Sequence, residues 1–217
     1  MNAPIIPETL VNVFTSGAQY LPSISILSDG SYVVVWRSAG QDGSGLGIVG
    51  QRFTAQGERI GAEFIVNETR EGDQDQAEVV GLASGGFVVV WRSFVDGLRQ
   101  ISGQVFDAAG APVGGEFKIN DTGTWDEVDP DVLALPGGGF AVAWTHTYAE
   151  DIHLRRFDDA GAAQGASVVV NTHDGNQSQD KRYVSMAVIE PDAGPNSLAG
   201  GGFVVVWAAY NQSGGNW

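Results

Sequence analysis

The chain has 217 residues, 43% of them hydrophobic, which is enough for one large all-β or repeat domain with a sizeable core. Lys and Arg number 11 against 26 Asp and Glu, so the formal net charge is −15. Because nucleic-acid affinity depends on a basic surface, this charge argues against a nucleic-acid partner and favours cationic ligands or solubility.

Three further properties narrow the class of protein. The absence of cysteine excludes disulfides, a thiolate nucleophile and cysteine-ligated metals. No apolar run is long enough to span a membrane, so we expect no membrane span. Residues 1–10 lack the basic and apolar regions of a secretory signal peptide.

An internal repeat organises the chain. A strand-like segment that ends in tryptophan occurs four times, at Trp36, Trp91, Trp144 and Trp207. A Val-Asn or Ile-Asn pair precedes each of these segments, at intervals of 51–55 residues. The last tryptophan interval is longer because of a Pro/Gly-rich stretch at 190–200. These markers predict a single repeat domain, 1–217, with units of roughly 11–65, 66–118, 119–169 and 170–217.

Each unit carries four strand signals and no helical periodicity. In the second unit, in chain order, they are 77–83, 87–92, 100–106 and 116–120, separated by glycine turns. Short antiparallel strands in units of this length are typical of propeller blades. We therefore predict an all-β fold, a β-propeller-like array of about four repeats with four-stranded antiparallel blades.

The phase of the repeat predicts an incomplete last blade. Residues 8–13 match the fourth strand of a unit, so we expect them to close the last blade. The third strand of that blade has no counterpart after Trp207, which leaves an unpaired edge. We expect either a fragment that frays at this edge or a homo-oligomer that pairs through the incomplete blade.

Most of the repeated aromatic and polar markers are expected to be structural. The four repeat tryptophans, at one fixed position per unit, fit packing between adjacent sheets better than sugar stacking. Trp125 lies outside the repeat, in a loop. It is therefore the aromatic side chain that we assign to contact with a ligand, which could be a carbohydrate or a cation.

Acidic residues concentrate in the loops expected on one rim of the propeller. Calcium prefers carboxylate and carbonyl oxygens in such loops, whereas the alternative is a merely solvated acidic surface. The preferred calcium ligands alternate in two consecutive loops. They are Asp73, Asp75, Asp126, Asp129 and Asp131.

Catalytic motifs are scarce, and the weak candidates surround one hairpin. His146 and His153 flank a loop that carries Glu150 and Asp151. A hairpin would bring the two histidines together as an acid–base pair or a metal site. The alternative is that these side chains are simply exposed.

The first unit resembles a known family of repeats. Pro22 to Asn67 carries Gln41-Asp42-Gly43-Ser44-Gly45, then Gly47-Ile48, and ends in Val66-Asn67. This pattern is similar to the propeller-type repeats of large bacterial calcium-binding (RTX, hemolysin-type) secreted or surface proteins. The resemblance implies export without an N-terminal signal and an extracellular or cell-surface location. The family's calcium-binding nonapeptide is not in this chain, so its calcium sites are not carried over.

Two functions follow from the sequence. The first is a non-catalytic binding or scaffold module, adhesive in character, of a secreted bacterial repeat protein whose acidic face binds calcium. The alternative is a calcium-assisted hydrolase of the lactonase or glycosidase type, with its site on the acidic face. Fold alone does not decide between them.

Overall fold

The structure, a computed structural model, describes residues 8–121, 125–171, 179–189 and 202–211, and all its regular secondary structure is β-strand. Sheet 1 consists of β1 (Gln19–Ile26), β2 (Tyr32–Ala39), β3 (Leu46–Phe53) and β4 (Arg59–Ile65). Sheet 2 consists of β5 (Gln74–Gly81), β6 (Phe87–Val95), β7 (Leu98–Phe106) and β8 (Pro112–Lys118). Sheet 3 consists of β9 (Glu127–Ala134), β10 (Phe140–His146), β11 (Asp151–Phe157) and β12 (Val168–Val169). Sheet 4 consists of β13 (Gln179–Ile189) and β14 (Gly202–Asn211).

In every sheet, strands that are consecutive in the chain are antiparallel neighbours. Tight glycine turns make this meander possible. Gly85 has a φ of +92°, which side chains rarely adopt. A Cβ on the next residue, Gly86, would collide with the carbonyl oxygen of Phe106. The β5–β6 turn therefore depends on both glycines.

The sheets pack face to face in chain order. The first strand of each sheet is the innermost, because β1 contacts β5, β5 contacts β9, and β9 contacts β13. We call the face of a sheet that looks towards the preceding sheet its leading face, and the opposite one its trailing face. Val33 and Val35 on the trailing face of sheet 1 share one apolar cluster with Val79 and Trp91 of sheet 2. The same arrangement recurs between sheets 2 and 3 and between sheets 3 and 4.

This architecture confirms the predicted all-β, propeller-like array of antiparallel sheets. The four repeat tryptophans lie at one equivalent position, on the second strand of each sheet, and each belongs to an apolar cluster on the leading face. Their assignment to packing follows from this burial. Sheets 1 to 3 have four strands each, and sheet 4 has two among the residues described. The number of blades stays a prediction.

The asparagine of each Val-Asn or Ile-Asn pair joins two strands. Asn67, Asn120 and Asn171 accept hydrogen bonds from the main-chain N–H groups of Ile48, Ile101 and Ile152, at 2.8, 2.9 and 2.7 Å. Each asparagine thus fixes the chain after the outer strand to the third strand of its own sheet. All three asparagines are buried.

The segment before β1 lies on the leading face of sheet 1. Residues 8–13, predicted to close the last blade, are not in a strand. Val11 instead packs against the apolar cluster of Trp36 and Phe53. The Glu63 carboxylate accepts hydrogen bonds from the main-chain nitrogens of Val13 and Phe14. The equivalent Glu116 binds Glu68 and Thr69, which follow the outer strand of sheet 1. Residues 11–14 therefore occupy the place where the outer strand of a preceding sheet would end.

Candidate functional site at the axis

The innermost strands share an unusual backbone feature. Each has a β-bulge or a break in register near its start, opposite the second strand. Each bulge contains a non-glycine residue in the left-handed region, with φ between 51° and 56°. These residues are Leu21, Gln76, Asp129 and Tyr183. Left-handed backbone is costly for such residues and is often found at functional sites.

The four bulges line one cavity. Its volume is about 320 Å³, and its walls come from the innermost strands of all four sheets. Besides the left-handed residues, Pro22, Glu78, Pro130 and Val184 contribute to the lining. We call this space the axial cavity. Its lining includes two acidic residues, Glu78 and Asp129, next to apolar and aromatic residues, a composition typical of ligand sites.

Glu78 is the acidic side chain with the most informative environment in this cavity. It is half-buried and accepts a hydrogen bond of 2.8 Å from the Ser23 hydroxyl. Burial raises the pKa of Glu78, the Ser23 hydrogen bond opposes this rise, and the negative charge of Asp131 adds to it. Glu78 therefore holds its proton to a higher pH than an ordinary glutamate.

Asp129 and Asp131 lie on the neighbouring innermost strand, β9. Asp129 Oδ1 accepts a hydrogen bond of 2.8 Å from the side chain of Gln76, whose Oε1 in turn accepts one from the Asp129 main-chain nitrogen at 3.3 Å. Asp131 accepts one of 2.6 Å from the main-chain nitrogen of Met186. Burial raises the pKa of Asp131, whereas this hydrogen bond and a second one from the Val132 backbone lower it. The Gln76–Asp129 and Asp131–Met186 contacts join one sheet to the next.

The other predicted calcium ligands are engaged by protein groups. Asp75 forms a bidentate ion pair with Arg92, in which Nε and Nη2 donate to the two carboxylate oxygens at 2.8 and 2.7 Å. The Asp126 carboxylate accepts hydrogen bonds from the main-chain nitrogen and the guanidinium of Arg99, at 2.8 and 2.6 Å. Asp73 accepts a hydrogen bond from the Leu46 nitrogen at 3.1 Å.

The structure therefore does not assemble the five aspartates into one ligand set, since arginines neutralise Asp75 and Asp126. Within the described ranges, no group of three or more histidine, aspartate and glutamate side chains is placed to hold a metal ion. Calcium binding by these aspartates stays a prediction from the sequence.

The predicted histidine pair is formed. The rings of His146 and His153 stack with centroids 5.3 Å apart, and Trp144 stacks on His153 at 5.7 Å. Burial lowers the pKa of His153, and His146 lowers it further, against the nearby charges of Asp151 and Asp121. The pair lies on β10 and β11, and neither histidine lines the axial cavity.

The two acids predicted beside this pair have separate environments. Asp151 is buried opposite His146 in the β10–β11 ladder and accepts a hydrogen bond of 2.8 Å from Asn171. Glu150 precedes it with a left-handed backbone, φ 54°, at the end of the connecting loop. Neither belongs to the lining of the axial cavity.

Trp125 forms an aromatic pair with Tyr148. The rings are nearly parallel, with an interplanar angle of 11° and centroids 4.0 Å apart, and both side chains are exposed. Thr147 ties the two loops together by donating its main-chain N–H and its hydroxyl to the carbonyl oxygen of Asp126, at 3.0 and 2.8 Å. This exposed pair has the shape to stack against a flat ligand.

The sequence did not single out Glu78 as a candidate site residue. The structure places Glu78 inside β5, at the position equivalent to Asp131 in β9 and Ser23 in β1. The signal was present, because each of these residues lies 13 positions before the tryptophan of its unit. Two units carry an acid at this strand position, whereas the first unit carries serine. This contrast would have identified the innermost strands as the candidate site.

A scan against models of protein families found no match, and a search of curated proteins found no similar sequence. Similar solved structures do exist. A thermostable family-43 glycoside hydrolase has a TM-score of 0.54 at 14% identity, and the match covers 88% of this chain and 66% of that one. An endo-arabinase from Bacteroides thetaiotaomicron has a TM-score of 0.48 at 13% identity, covering 89% of this chain and 75% of that one. The catalytic domain of a Coprinopsis cinerea GH62 α-L-arabinofuranosidase has a TM-score of 0.45 at 12% identity, covering 77% and 58%.

These comparisons correct the first functional expectation. The non-catalytic binding or scaffold module is not the function that they favour, because the solved structure with the same fold is a glycoside hydrolase. The hydrolase alternative is therefore the one carried forward. A likeness at 14% identity shows the fold alone, and the chain spans about two thirds of that hydrolase's length. No helix in the described part of the chain is long and apolar enough to cross a membrane.

Proposed function

We propose that this chain is a carbohydrate-cleaving hydrolase of the glycosidase type, with its site in the axial cavity. The observation that carries the proposal is Glu78, a half-buried carboxyl group with a raised pKa, in the same cavity as the carboxylate of Asp129. Two carboxyl groups in different environments are what glycosidic bond cleavage requires. The fold shared with a family-43 glycoside hydrolase supports the same choice.

Each carboxyl group receives a role from its surroundings. Glu78, which holds its proton at higher pH, is the general acid that protonates the leaving-group oxygen. The charge of Asp131 helps to keep it protonated. Asp129, oriented by Gln76, is the second carboxylate, acting on water or directly on the sugar. An anomeric product assay decides between these two courses, because they lead to inversion and retention respectively.

Aromatic side chains supply the surface for a sugar. Tyr183 lines the axial cavity, and its side chain is exposed. Trp125, the ligand contact proposed from the sequence, offers a second platform with Tyr148. Both fit a carbohydrate because a sugar presents an apolar face to an aromatic ring and hydroxyl groups to nearby polar atoms.

The test is hydrolysis of a panel of aryl glycosides and plant polysaccharides by the purified chain, followed as released chromophore and reducing ends. We expect activity on at least one substrate, and a loss in both Glu78→Gln and Asp129→Asn. Glu116→Gln is the matched control, since this glutamate lies on the outer strand β8. No hydrolysis of any glycoside, or full activity in both cavity variants, would overturn the proposal.

Calcium binding and a secreted origin stay proposals from the sequence. Thermal melting in calcium and in sodium at matched ionic strength decides the first, because screening alone affects both equally. A calcium-specific rise in Tm that disappears in Asp73→Ala would support a site at that loop. Equal melting temperatures would end the calcium proposal.

A further inference from the structure

Sheet 2 carries a second pocket where β5 begins, β6 ends and β7 begins. Its volume is about 220 Å³, and its lining consists of Asp73, Asp75, Arg92, Phe94 and Arg99. We call it the rim pocket. None of these five residues lines the axial cavity. Pockets for drug-sized ligands have volumes of about 300–1,000 Å³, so the rim pocket suits a smaller group such as one sugar ring.

The backbone fixes the walls of the rim pocket. The Phe94 main-chain nitrogen donates a hydrogen bond of 2.8 Å to the Asp73 carbonyl oxygen. Gly72 permits this close approach, because its φ is +76° and a Cβ there would collide with the Phe94 carbonyl oxygen. The Leu46 nitrogen holds the Asp73 carboxylate at 3.1 Å. A pocket formed in this way spends little free energy on ordering when a ligand binds.

The charges around the rim pocket are balanced, although the chain as a whole is strongly acidic. The two aspartates and two arginines of its lining carry no net formal charge between them. Just outside the lining, Asp126 binds Arg99, and Arg37 lies 3.8 Å from the Asp75 carboxylate, so this second pair of charges also cancels. An ion of either sign therefore gains little here, and the pocket favours a neutral polar ligand.

The polar and aromatic groups of the rim pocket match the surface of a sugar. The bonds to Asp75 use Nε and Nη2 of Arg92, and the bond to Asp126 uses Nη1 of Arg99. We assign the other guanidinium N–H groups as donors to sugar hydroxyls. Carboxylate oxygens accept more than one hydrogen bond each, so Asp75 can also accept from a hydroxyl. The Phe94 side chain is 42% exposed and offers an apolar surface to the C–H face of a sugar.

Chain neighbours connect the rim pocket to both parts of the proposed carbohydrate site. Asp75 immediately precedes Gln76, which lines the axial cavity. Asp126, the partner of Arg99, immediately follows Trp125 of the exposed aromatic pair. One ligand that spans several sugar rings could therefore contact more than one of these surfaces.

We propose that the rim pocket binds one neutral ring of an oligosaccharide whose neighbouring ring occupies the axial cavity. Arg92 and Arg99 donate to its hydroxyls, and Phe94 packs against its apolar face. The substrate is then a chain of several neutral sugars, because a single terminal residue would leave the rim pocket unfilled. The inference rests on the proposed function for the class of ligand, but it concerns binding and can be tested without cleavage.

Titration calorimetry with neutral xylo-, arabino- and manno-oligosaccharides of increasing length tests the proposal. The Glu78→Gln chain is used, so that the ligand is not consumed. We expect the affinity for at least one series to rise with length, and Phe94→Ala and Arg99→Gln, each added to this chain, to weaken the longer ligands by about tenfold. Arg70→Gln is the matched control, because Arg70 precedes β5, donates to the Asp42 carbonyl oxygen at 3.1 Å and does not line the pocket. It should bind like the parent chain.

Three results would overturn the inference. If no oligosaccharide binds, the rim pocket is not a sugar site. If the longer ligands bind equally well to Phe94→Ala and Arg99→Gln, with circular dichroism showing both variants folded, they bind elsewhere. A preference for galacturonate oligomers that added salt abolishes indicates recognition of charge and rejects a neutral ring. Failure of the proposed function alone gives a different result, in which oligosaccharides bind through the rim pocket but the wild-type chain cleaves no glycoside.

Discussion

The hydroxyl of Ser23 donates a hydrogen bond of 2.8 Å to Glu78, and this bond joins the innermost strands of sheets 1 and 2. Gln76 and Asp129 join sheets 2 and 3 in the same way, and Asp131 and the Met186 nitrogen join sheets 3 and 4. The acids at the axis therefore hold the sheets together and also face, or lie close to, the cavity. Substitutions can separate the contribution of these acids to stability from their contribution to catalysis.

Glu78→Gln is expected to lower activity and raise stability. Loss of a general acid reduces kcat by about 10²- to 10⁴-fold. The folded state raises the pKa of Glu78, so the unfolded chain loses this proton at a lower pH than the folded chain does. The free energy of unfolding therefore falls as pH rises from the unfolded pKa to the folded pKa. Glutamine does not ionise, so the variant avoids this loss of stability at pH 7. Its amide oxygen still accepts the Ser23 hydrogen bond. The gain in Tm should vanish below about pH 4, where glutamate is protonated in both states. An unchanged kcat would remove Glu78 from the mechanism.

Ser23→Ala is expected to shift the pH–rate profile without removing activity. The Ser23 hydrogen bond lowers the pKa of Glu78, so its loss lets that pKa rise further. As the acid must be protonated to act, the alkaline limb of kcat/KM should move to higher pH. Ser25→Ala is the matched control, because the Ser25 hydroxyl accepts a hydrogen bond from the Gly81 nitrogen in the same interface. A shift to lower pH would contradict the assignment of Glu78 as the acid.

Trp125→Ala is expected to weaken substrate binding more than catalysis. The ring lies on a loop and not in the lining of the axial cavity. Its loss should raise KM for an oligosaccharide by about 5- to 30-fold, the factor for 1–2 kcal/mol, with little change in kcat. A short aryl glycoside provides the control, because Trp125 does not line the axial cavity in which it would bind. If the substitution changes KM by the same factor for both substrates, Trp125 is not a sugar platform.

Asn120→Ala is expected to destabilise the fold. The buried Asn120 side chain accepts a hydrogen bond from the Ile101 nitrogen, which would be left without this partner. An orphaned buried donor costs about 1–3 kcal/mol. Asn12→Ala is the matched control from the same repeat motif, because Asn12 is partly exposed and its amide binds the Phe14 carbonyl oxygen. Urea unfolding should give a smaller loss for Asn12→Ala, and equal losses would contradict the role of burial.

His153 is expected to make the protein sensitive to acid. Its pKa is lowered in the folded state, so its contribution to stability is complete above about pH 6.5 and is lost as pH falls through the window below that value. His153→Phe retains the stacking on Trp144 and cannot take up a proton. Melting curves between pH 7 and pH 5 should therefore show a smaller decrease in Tm for the variant. A parallel decrease in both proteins would assign the acid sensitivity to other groups.

Much of the fold could be predicted from the repeat because local sequence determines it. The tryptophan segments, the glycine turns and the Val-Asn pairs lie within single units, and the structure places Trp91 and Trp144 at equivalent buried positions as expected. The site depended on contacts between units that are far apart in sequence. The Asp126–Arg99 pair joins residues 27 positions apart and gives no local signal. Two of the five aspartates expected to bind calcium, Asp75 and Asp126, are paired with arginines of another strand, and calcium binding stays a prediction.

The left-handed bends at Leu21, Gln76, Asp129 and Tyr183 place four chemically different side chains on one repeated backbone geometry. The packing of each sheet offsets the conformational cost of its bend, and a side chain without a branched Cβ adds the least strain there. Gene duplication would thus have produced four equal positions around a single pocket, each free to diverge. New ligand preferences could arise in such a protein by altering these four codons, while the selection that maintains the β-sheets acts elsewhere in the sequence.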